Sequence, residues 1–309
     1  MKRRLVLIDG HAIVFRAYYA YPASLTTPEG EQINAVYGFA SILLSVVREL
    51  APTHIAVAFD LDKPTFRHID YAGYKAQRPE VDVELTNQLD RVREVVEVLS
   101  MPIFQVEGFE ADDVIGTLAR QAADGGEVII VTGDQDAMQL VDDSVRVWLP
   151  KRGKQEAKLY GVEEVKQKFE LTPEQIVDLK ALAGDASDNI PGVRGIGPKT
   201  ATTLLNKFLT VERLYDAIRS KNLPAVSAAV IKKLADGYEE AVRSKKLAAI
   251  VTDVPIKLSW DKCRIHEYDK AKAVKLFNKF GFKSLVNKLP NDEKEEELTQ
   301  VFEVGLFEK

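Results

Sequence analysis

The sequence predicts an α/β fold, a central and mostly parallel sheet flanked by helices, on three observations. Apolar, β-branched runs at Leu5–Ile8, Ile55–Phe59 and Val128–Val131 each lead directly to acidic residues. Continuous runs of this kind read as strands buried on both faces, as in a parallel sheet. Helical patterns alternate with them, as right-handed crossover connections require.

Taken in order, residues 1–60 read as strand, helix, strand. The helix carries Val36, Phe39, Leu43, Leu44, Val47 and Leu50 on its apolar side and stops before Pro52. Residues 62–82 lack periodicity: Pro64 and Pro79 bracket Phe66, Arg67, His68, Tyr71, Tyr74, Lys75 and Arg78. The spacing of Leu85, Leu89, Val92, Val96 and Leu99 then predicts an amphipathic helix. Glu110–Ala123 reads as a further helix, Glu127–Val131 as a third strand and Val145–Leu149 as a fourth. From Thr172 the pattern turns helical, broken at Ile190–Thr200, and short helices run to about Leu289. The expected division is therefore an α/β core over 1–171, a helical region over 172–290 and an acidic tail over 291–309. The charge run Asn291–Glu297 reads as a disordered linker.

With 309 residues, 46% hydrophobic and 29% charged, the composition is that of a soluble chain of about two domains. Met1-Lys2-Arg3-Arg4 has the charge of a signal-peptide start, but Asp9 ends the following apolar run too early. One cysteine excludes an internal disulfide and suits a reducing cytoplasm. Four histidines and that cysteine show no zinc spacing. The net charge of −5 is unevenly spread. Residues 291–309 hold seven acids and two bases, which leaves 40 of each in residues 1–290. An acidic pit on an otherwise basic body suits a phosphodiester substrate bridged by metal ions.

That pit is read from nine carboxylates in five motifs: Asp9, Asp60, Glu110, Asp112, Asp113, Asp134, Asp136, Asp185 and Asp188. Open parallel sheets gather functional groups at the carboxyl ends of their strands. Like charges collected there repel unless cations hold them, so the pattern predicts a polynuclear site for Mg²⁺ or Mn²⁺. Each motif also has a plain structural reading. Asp9 and Asp60 suit turns or caps, Glu110 to Asp113 suit the first turn of a helix, and Ser187 and Asp188 suit turns. Asp134-Gln135-Asp136 also resembles the acid pairs of nucleotide-sugar transferases, without a donor-binding pattern. His11, two residues after Asp9, stands where a dehalogenase-type phosphatase needs a second aspartate.

Gly192 to Thr200 almost spells a nucleotide-binding P-loop, but Pro198 interrupts it and no buried strand precedes it. The alternatives are a tight helix–helix turn, or a helical hairpin whose glycines let backbone amides approach a phosphate. The rings and cations of Phe66–Arg78 have the composition of a single-strand clamp, or of a solvated basic loop. Lys75 and Arg78, three apart, could face one phosphate, and Arg16 could reach another. A catalytically dead binder of branched duplexes and a ribonuclease on a related sheet are competing readings. Intact acids in every motif disfavour the first, and the helical hairpin disfavours the second.

In order along residues 4–290, the motifs resemble the 5′-nuclease domains of bacterial DNA polymerase I, in the flap-endonuclease family. The matching stretches include Leu7-Ile8-Asp9-Gly10, Val57-Ala58-Phe59-Asp60, Tyr74-Lys75-Ala76-Gln77-Arg78 and Gly108-Phe109-Glu110-Ala111-Asp112-Asp113. They continue through Thr132-Gly133-Asp134-Gln135-Asp136, Gly184-Asp185-Ala186-Ser187-Asp188-Asn189 and Gly192-Val193-Arg194-Gly195-Ile196-Gly197-Pro198-Lys199-Thr200. The resemblance implies a 5′→3′ exonuclease and 5′-flap endonuclease acting in RNA-primer removal and repair, monomeric, cytoplasmic and nucleoid-associated, with a polymerase domain in a longer parent chain. It implies one metal group on Asp9, Asp60, Glu110 and Asp112, and a second on Asp134, Asp136, Asp185 and Asp188 with Asp113 nearby. It further implies a helical arch over about 63–100 and catalytic roles for Lys75 and Arg78. DNA contacts are expected at Arg16, Arg67, Tyr74, Lys75, Arg78, Gly192, Gly195, Gly197, Lys199 and Thr200. The last five belong to a helix-hairpin-helix-type motif with a bound K⁺.

Overall fold

The computed structural model describes residues 3–79, 81–150, 156–224, 226–265 and 268–290. The acidic tail expected over 291–309 lies outside the described residues. The first elements are β1 (Arg4–Asp9), α1 (Gly10–Ala20), α2 (Asn34–Leu50), β2 (His54–Ala58), α3 (Phe66–Asp70) and α4 (Val83–Val98). Next come β3 (Ile103–Phe104), α5 (Ala111–Ala123), β4 (Glu127–Val131), a 3₁₀ turn (Asp136–Leu140), β5 (Val145–Leu149), β6 (Lys158–Tyr160) and α6 (Val162–Phe169). The remainder is helical: α7 (Gln175–Ala183), α8 (Pro198–Phe208), α9 (Val211–Arg219), α10 (Ala228–Asp236), α11 (Tyr238–Ala248), α12 (Trp260–Cys263), α13 (Lys270–Lys279) and α14 (Lys283–Val286).

The sheet order is β3-β2-β1-β4-β5-β6, parallel except for the antiparallel edge β6. Side chains alternate across it, as a strand's period of two demands. Val6, Ile8, Ile55, Val57, Ile129 and Val131 enter one core, while Leu5, Leu7, Ala56, Ala58, Val128 and Ile130 enter the other. Burial on both faces is why these runs are continuously apolar. From β1 the chain steps outward to β2 and β3, then returns to the other side of β1 as β4. The direction of winding reverses between β1 and β4, and a crevice opens there at the strands' carboxyl ends.

Several expectations need correction. Two helices, not one, connect β1 to β2. Asp9 Oδ1 accepts the Ala12 amide at 2.9 Å and so starts α1 immediately after the strand. The two-residue β3 and the three-residue β6 are too short to show periodicity. The helical arch expected over 63–100 divides its side chains between core and crevice. In its second half, α4 buries Leu85, Val92, Val95 and Val96 with α2, while Lys75, Arg78, Val81, Thr86, Leu89 and Arg93 line the crevice. The helical region of 172–290 also divides. Residues from Leu171 to Ala241 form their own core, but Ala273, Phe277, Phe280, Phe282 and Leu285 return to the α/β core, α13 against α4 and Phe282 against Tyr37 of α2. Val254 and Cys263 pack on the opposite face. Among the described residues no helix is long and apolar enough to cross a membrane.

If α13 is part of the first core, Phe277→Ala should lower unfolding free energy by about 3–5 kcal/mol. Trp148 belongs to the same cluster, so its fluorescence in a urea titration, with Trp260 replaced by Phe, reads that loss. An unchanged Trp148 midpoint would show the C-terminal helices to be a separate unit.

Candidate metal centre and nucleic-acid interface

The crevice is built from strand ends. Asp9 closes β1, Asp60 follows β2 and Asp134 follows β4, while Asp112 enters from the first turn of α5. These four, with Glu110, line a cavity of about 510 Å³ that Lys75, Arg78, His11 and Arg93 also border. A second cavity, of about 950 Å³, shares Asp134 and adds Asp136, Asp185, Lys180 and Arg16. Asp134 thus lines both cavities, while Asp188 lines neither and meets the Tyr74 hydroxyl and Arg78 instead.

Local bonds aim these side chains. Thr132 Oγ1 donates to Asp9 Oδ2 at 2.7 Å and accepts the Asp134 amide at 3.0 Å, tying the ends of β1 and β4 together. Asp134 Oδ1 accepts the Asp136 amide, and Asp60 Oδ1 accepts the Ala111 amide at 2.7 Å. Asp185 Oδ1 accepts both the amide and the hydroxyl of Ser187 inside the Gly184–Ile190 turn, which Asp185 and Ile190 close with paired backbone bonds. The turn and cap readings of these residues are correct, and the same residues face the cavities.

Crowded carboxylates shift each other. Burial, reinforced by Asp60 and Asp134, pushes the Asp9 carboxyl up to about 7. Burial and Asp134 push Asp136 up to about 7 despite Lys180. Asp112 is raised well above its ordinary value by burial, Asp9 and Asp134. It receives no hydrogen bond among the described residues. The protein's own cations hold Glu110, Asp136, Asp185 and Asp188. Lys75 Nζ reaches Glu110 Oε1 at 2.8 Å, Arg78 reaches Asp188 Oδ1 at 2.6 Å, and Lys180 bridges Asp136 and Asp185. As the side chains stand, no three His, Cys, Asp or Glu groups among the described residues close on one ion. The donor set nonetheless fits a hard divalent cation: it is all oxygen, largely buried, and incompletely neutralised at Asp9 and Asp112.

Four expected site residues lie elsewhere. Asp113 is fully buried, with both oxygens committed to Arg67 at 2.7 Å and to the amides of Glu110 and Val251. It leaves no lone pair directed at the crevice. Arg67 is correspondingly enclosed, donating also to the carbonyls of Leu247 and Ala249, so it meets no DNA. Tyr74 is buried, its hydroxyl between Glu110 Oε2 and Asp188 Oδ2, and burial raises its pKa. It offers no stacking face. Gly192 (φ +60) donates its amide to Ser244 Oγ, and a Cβ there would stand 2.2 Å from the Gly184 nitrogen. Its glycine serves backbone-to-backbone packing. Gly195, Gly197 and Lys199 remain exposed at the α7–α8 hairpin, and Thr200 is half-buried. Pro198 occupies the first turn of α8, whose leading amides lack intrahelical partners.

Two family models divide the chain between them. The 5′-3′ exonuclease N-terminal resolvase-like domain matches residues 4–170, and the 5′-3′ exonuclease C-terminal SAM fold matches residues 171–271. The chain belongs to the 5′-3′ exonuclease family. DNA polymerase I of Bacillus subtilis (strain 168) is 41% identical to this exonuclease-family chain over 304 residues, 98% of the chain but 34% of the relative. DNA polymerase I of Chloroflexus aurantiacus is 45% identical over 295 residues, 93% of the chain and 31% of the relative. The chain thus spans about a third of the length of the curated relatives it matches. Solved structures with the same fold include T5 5′-exonuclease with bound zinc (TM-score 0.66, 23% identity, covering 93% of this chain and 96% of that one). The Rad2 catalytic core with DNA substrate also matches (TM-score 0.60, 13% identity, covering 93% of each).

Sequence reading passed over Lys180 and the positioning role of Thr132 in this exonuclease-family chain. Lys180 carries the clearest signal, a basic residue in the last turn of α7, five residues before Asp185. The raised acids also make a pH prediction. Asp9 and Asp136 bind a proton up to about 7 when folded, against 3.8 for the ordinary carboxyl, so the folded state holds more protons between those values. Stability in EDTA should therefore fall as pH rises through that window, and divalent ions should flatten the slope. Thermal melts across pH read this directly. Asp112→Asn should raise the alkaline melting temperature in EDTA while weakening Mn²⁺ binding; a lower melting temperature would contradict the repulsion described.

Proposed function

We propose that this exonuclease-family chain is a divalent-metal-dependent 5′→3′ exonuclease and 5′-flap endonuclease, hydrolysing phosphodiesters near the 5′ ends of nicked, flapped or RNA-primed DNA. The carrying observation is the convergence of Asp9, Asp60, Asp112 and Asp134 at the sheet's switch point. On this reading Asp9, Asp60, Glu110 and Asp112 hold one ion, Mg²⁺ or Mn²⁺. Asp134, Asp136, Asp185 and Asp188 hold the other. A divalent ion held there supplies an ionised water and offsets charge on the entering and leaving oxygens of an in-line displacement.

The chain's own groups do the rest. Lys75 and Arg78, now paired with Glu110 and Asp188, border the crevice and turn to a bound phosphate once those acids take other partners. Burial works against the charge of Lys75, yet Glu110 and Asp188 raise its pKa, so it stays cationic. Arg16, beside the larger cavity, and the exposed hairpin at Gly195, Gly197, Lys199 and Thr200 track backbone phosphates without reading sequence. K⁺ at that hairpin would compete with the Lys233 ammonium, which donates to the Gly195 carbonyl at 3.1 Å. The 5′ polarity follows from the family, not from the geometry. Roles in primer removal and repair, a linked polymerase domain, a monomeric state and a cytoplasmic, nucleoid-associated location complete the reading.

A 5′-flap duplex should be cut with Mg²⁺, left intact in EDTA and left intact by Asp134→Ala. Lys75→Ala should lower kcat about a hundredfold, roughly 3 kcal/mol, with a smaller change in KM. Flap binding without cleavage at any divalent-ion concentration would instead identify a binding module, and faster cutting of RNA flaps a ribonuclease.

A further inference from the structure

His11 borders the acid crevice, and neither the acid sets nor the cation pairs account for it. Its ring rests edge-on against Phe59, with centroids 5.5 Å apart at 80°, and Phe59 in turn packs where only Gly10 leaves room. A Cβ on Gly10 would stand 2.3 Å from that ring. The imidazole therefore has one well-defined orientation.

Its protonation pattern is fixed by the backbone. The Asp60 amide donates to His11 Nδ1 at 3.0 Å. Asp60 is itself held by two further bonds: Gln105 Nε2, braced by Arg93 at 3.2 Å, donates to its carbonyl at 3.2 Å, and the Ala111 amide donates to Oδ1 at 2.7 Å. An amide hydrogen so constrained cannot turn away, so Nδ1 must present its lone pair. Asp60 Oδ2 also lies 3.3 Å from Nδ1, but that lone pair is already taken and the contact is not an ion pair. The ring is then the neutral tautomer with hydrogen on Nε2. Nε2 has no hydrogen-bond partner among the described residues, and the ring lines the cavity that Asp9, Asp60, Asp112, Lys75 and Arg78 share.

We propose that His11 is a substrate-binding residue whose Nε2–H donates to a non-bridging oxygen of the phosphodiester in this crevice. This rests on the nuclease reading above and adds a neutral donor to a site otherwise made of charges. It joins the lysine and arginine from the opposite wall without adding to the acids' attraction for cations. The amide of Asp60 reports that the donor is aimed, because any ring flip would cost the Nδ1 bond.

Two substitutions separate the ring's two nitrogens. His11→Asn places an acceptor near Nδ1 and removes the donor at Nε2, while His11→Gln places an amide donor near Nε2. On a 5′-flap substrate with Mg²⁺, His11→Asn should lower kcat/KM on the order of tenfold to a hundredfold, the size of one hydrogen bond to a charged group. Its melting temperature and its Mn²⁺ affinity by calorimetry should match those of the unsubstituted protein, since Asp60 remains held. His11→Gln should recover most of the rate. Cleavage by His11→Asn at the unsubstituted rate would overturn the proposal, as would a folded, Mn²⁺-binding His11→Gln no faster than His11→Asn. Failure of the unsubstituted protein to cut any flap would instead overturn the nuclease reading.

Discussion

The buried pair of Arg67 and Asp113 is the interaction on which the site's architecture depends. Arg67 begins α3, Asp113 lies in the first turn of α5, and the remaining guanidinium donors reach the carbonyls that end α11. One side chain thereby joins the crevice wall, the α/β core and the helical region. Removing one partner of such a pair costs about 3–5 kcal/mol because the other is left charged and dry. With Arg67 fixed, the turns that follow bring Tyr74 and Lys75 against Glu110, and the Lys75 and Asn189 backbone contacts bring the Asp185–Asn189 turn alongside. The two halves of the site meet across that segment.

Charge is balanced in two tiers. Acids on the outer side of the crevice carry the protein's own cations, so Glu110, Asp136, Asp185 and Asp188 are compensated before any ion or substrate arrives. Asp9 and Asp112 have no such partner and their carboxyls rise, as does that of Asp136 despite Lys180. On the proposed function, divalent ions bound here would displace ammonium and guanidinium groups from the acids. The displaced groups would include Lys75 and Arg78, which border the crevice, so ion and substrate binding would be linked through the same side chains.

Much of this was legible in the chain itself, for identifiable reasons. The sheet showed because burial on both faces leaves continuous runs such as Val128–Val131, and the acids showed because strand ends in parallel sheets project into one crevice. Helix α1 did not show, since Asp9 serves as ligand candidate and cap at once and leaves no punctuation between strand and helix. Arg67, Tyr74 and Asp113 looked like site residues because burial is invisible in a polar composition. Only the fold reveals that their charges face one another. Gly192 misled for a related reason: a glycine kept for close packing and one kept for phosphate approach look alike until their neighbours are known.

The return of α13 and α14 to the first core has a consequence for how the molecule is assembled. Phe277, Phe280 and Phe282 complete a layer begun more than two hundred residues earlier, so a cut at the family boundary near residue 170 would strip the leading half of aromatic mass it cannot replace. The family boundary near residue 170 therefore does not coincide with a boundary of the hydrophobic core. Contacts across so long a stretch of chain carry a loop-closure entropy that disfavours their forming early in folding.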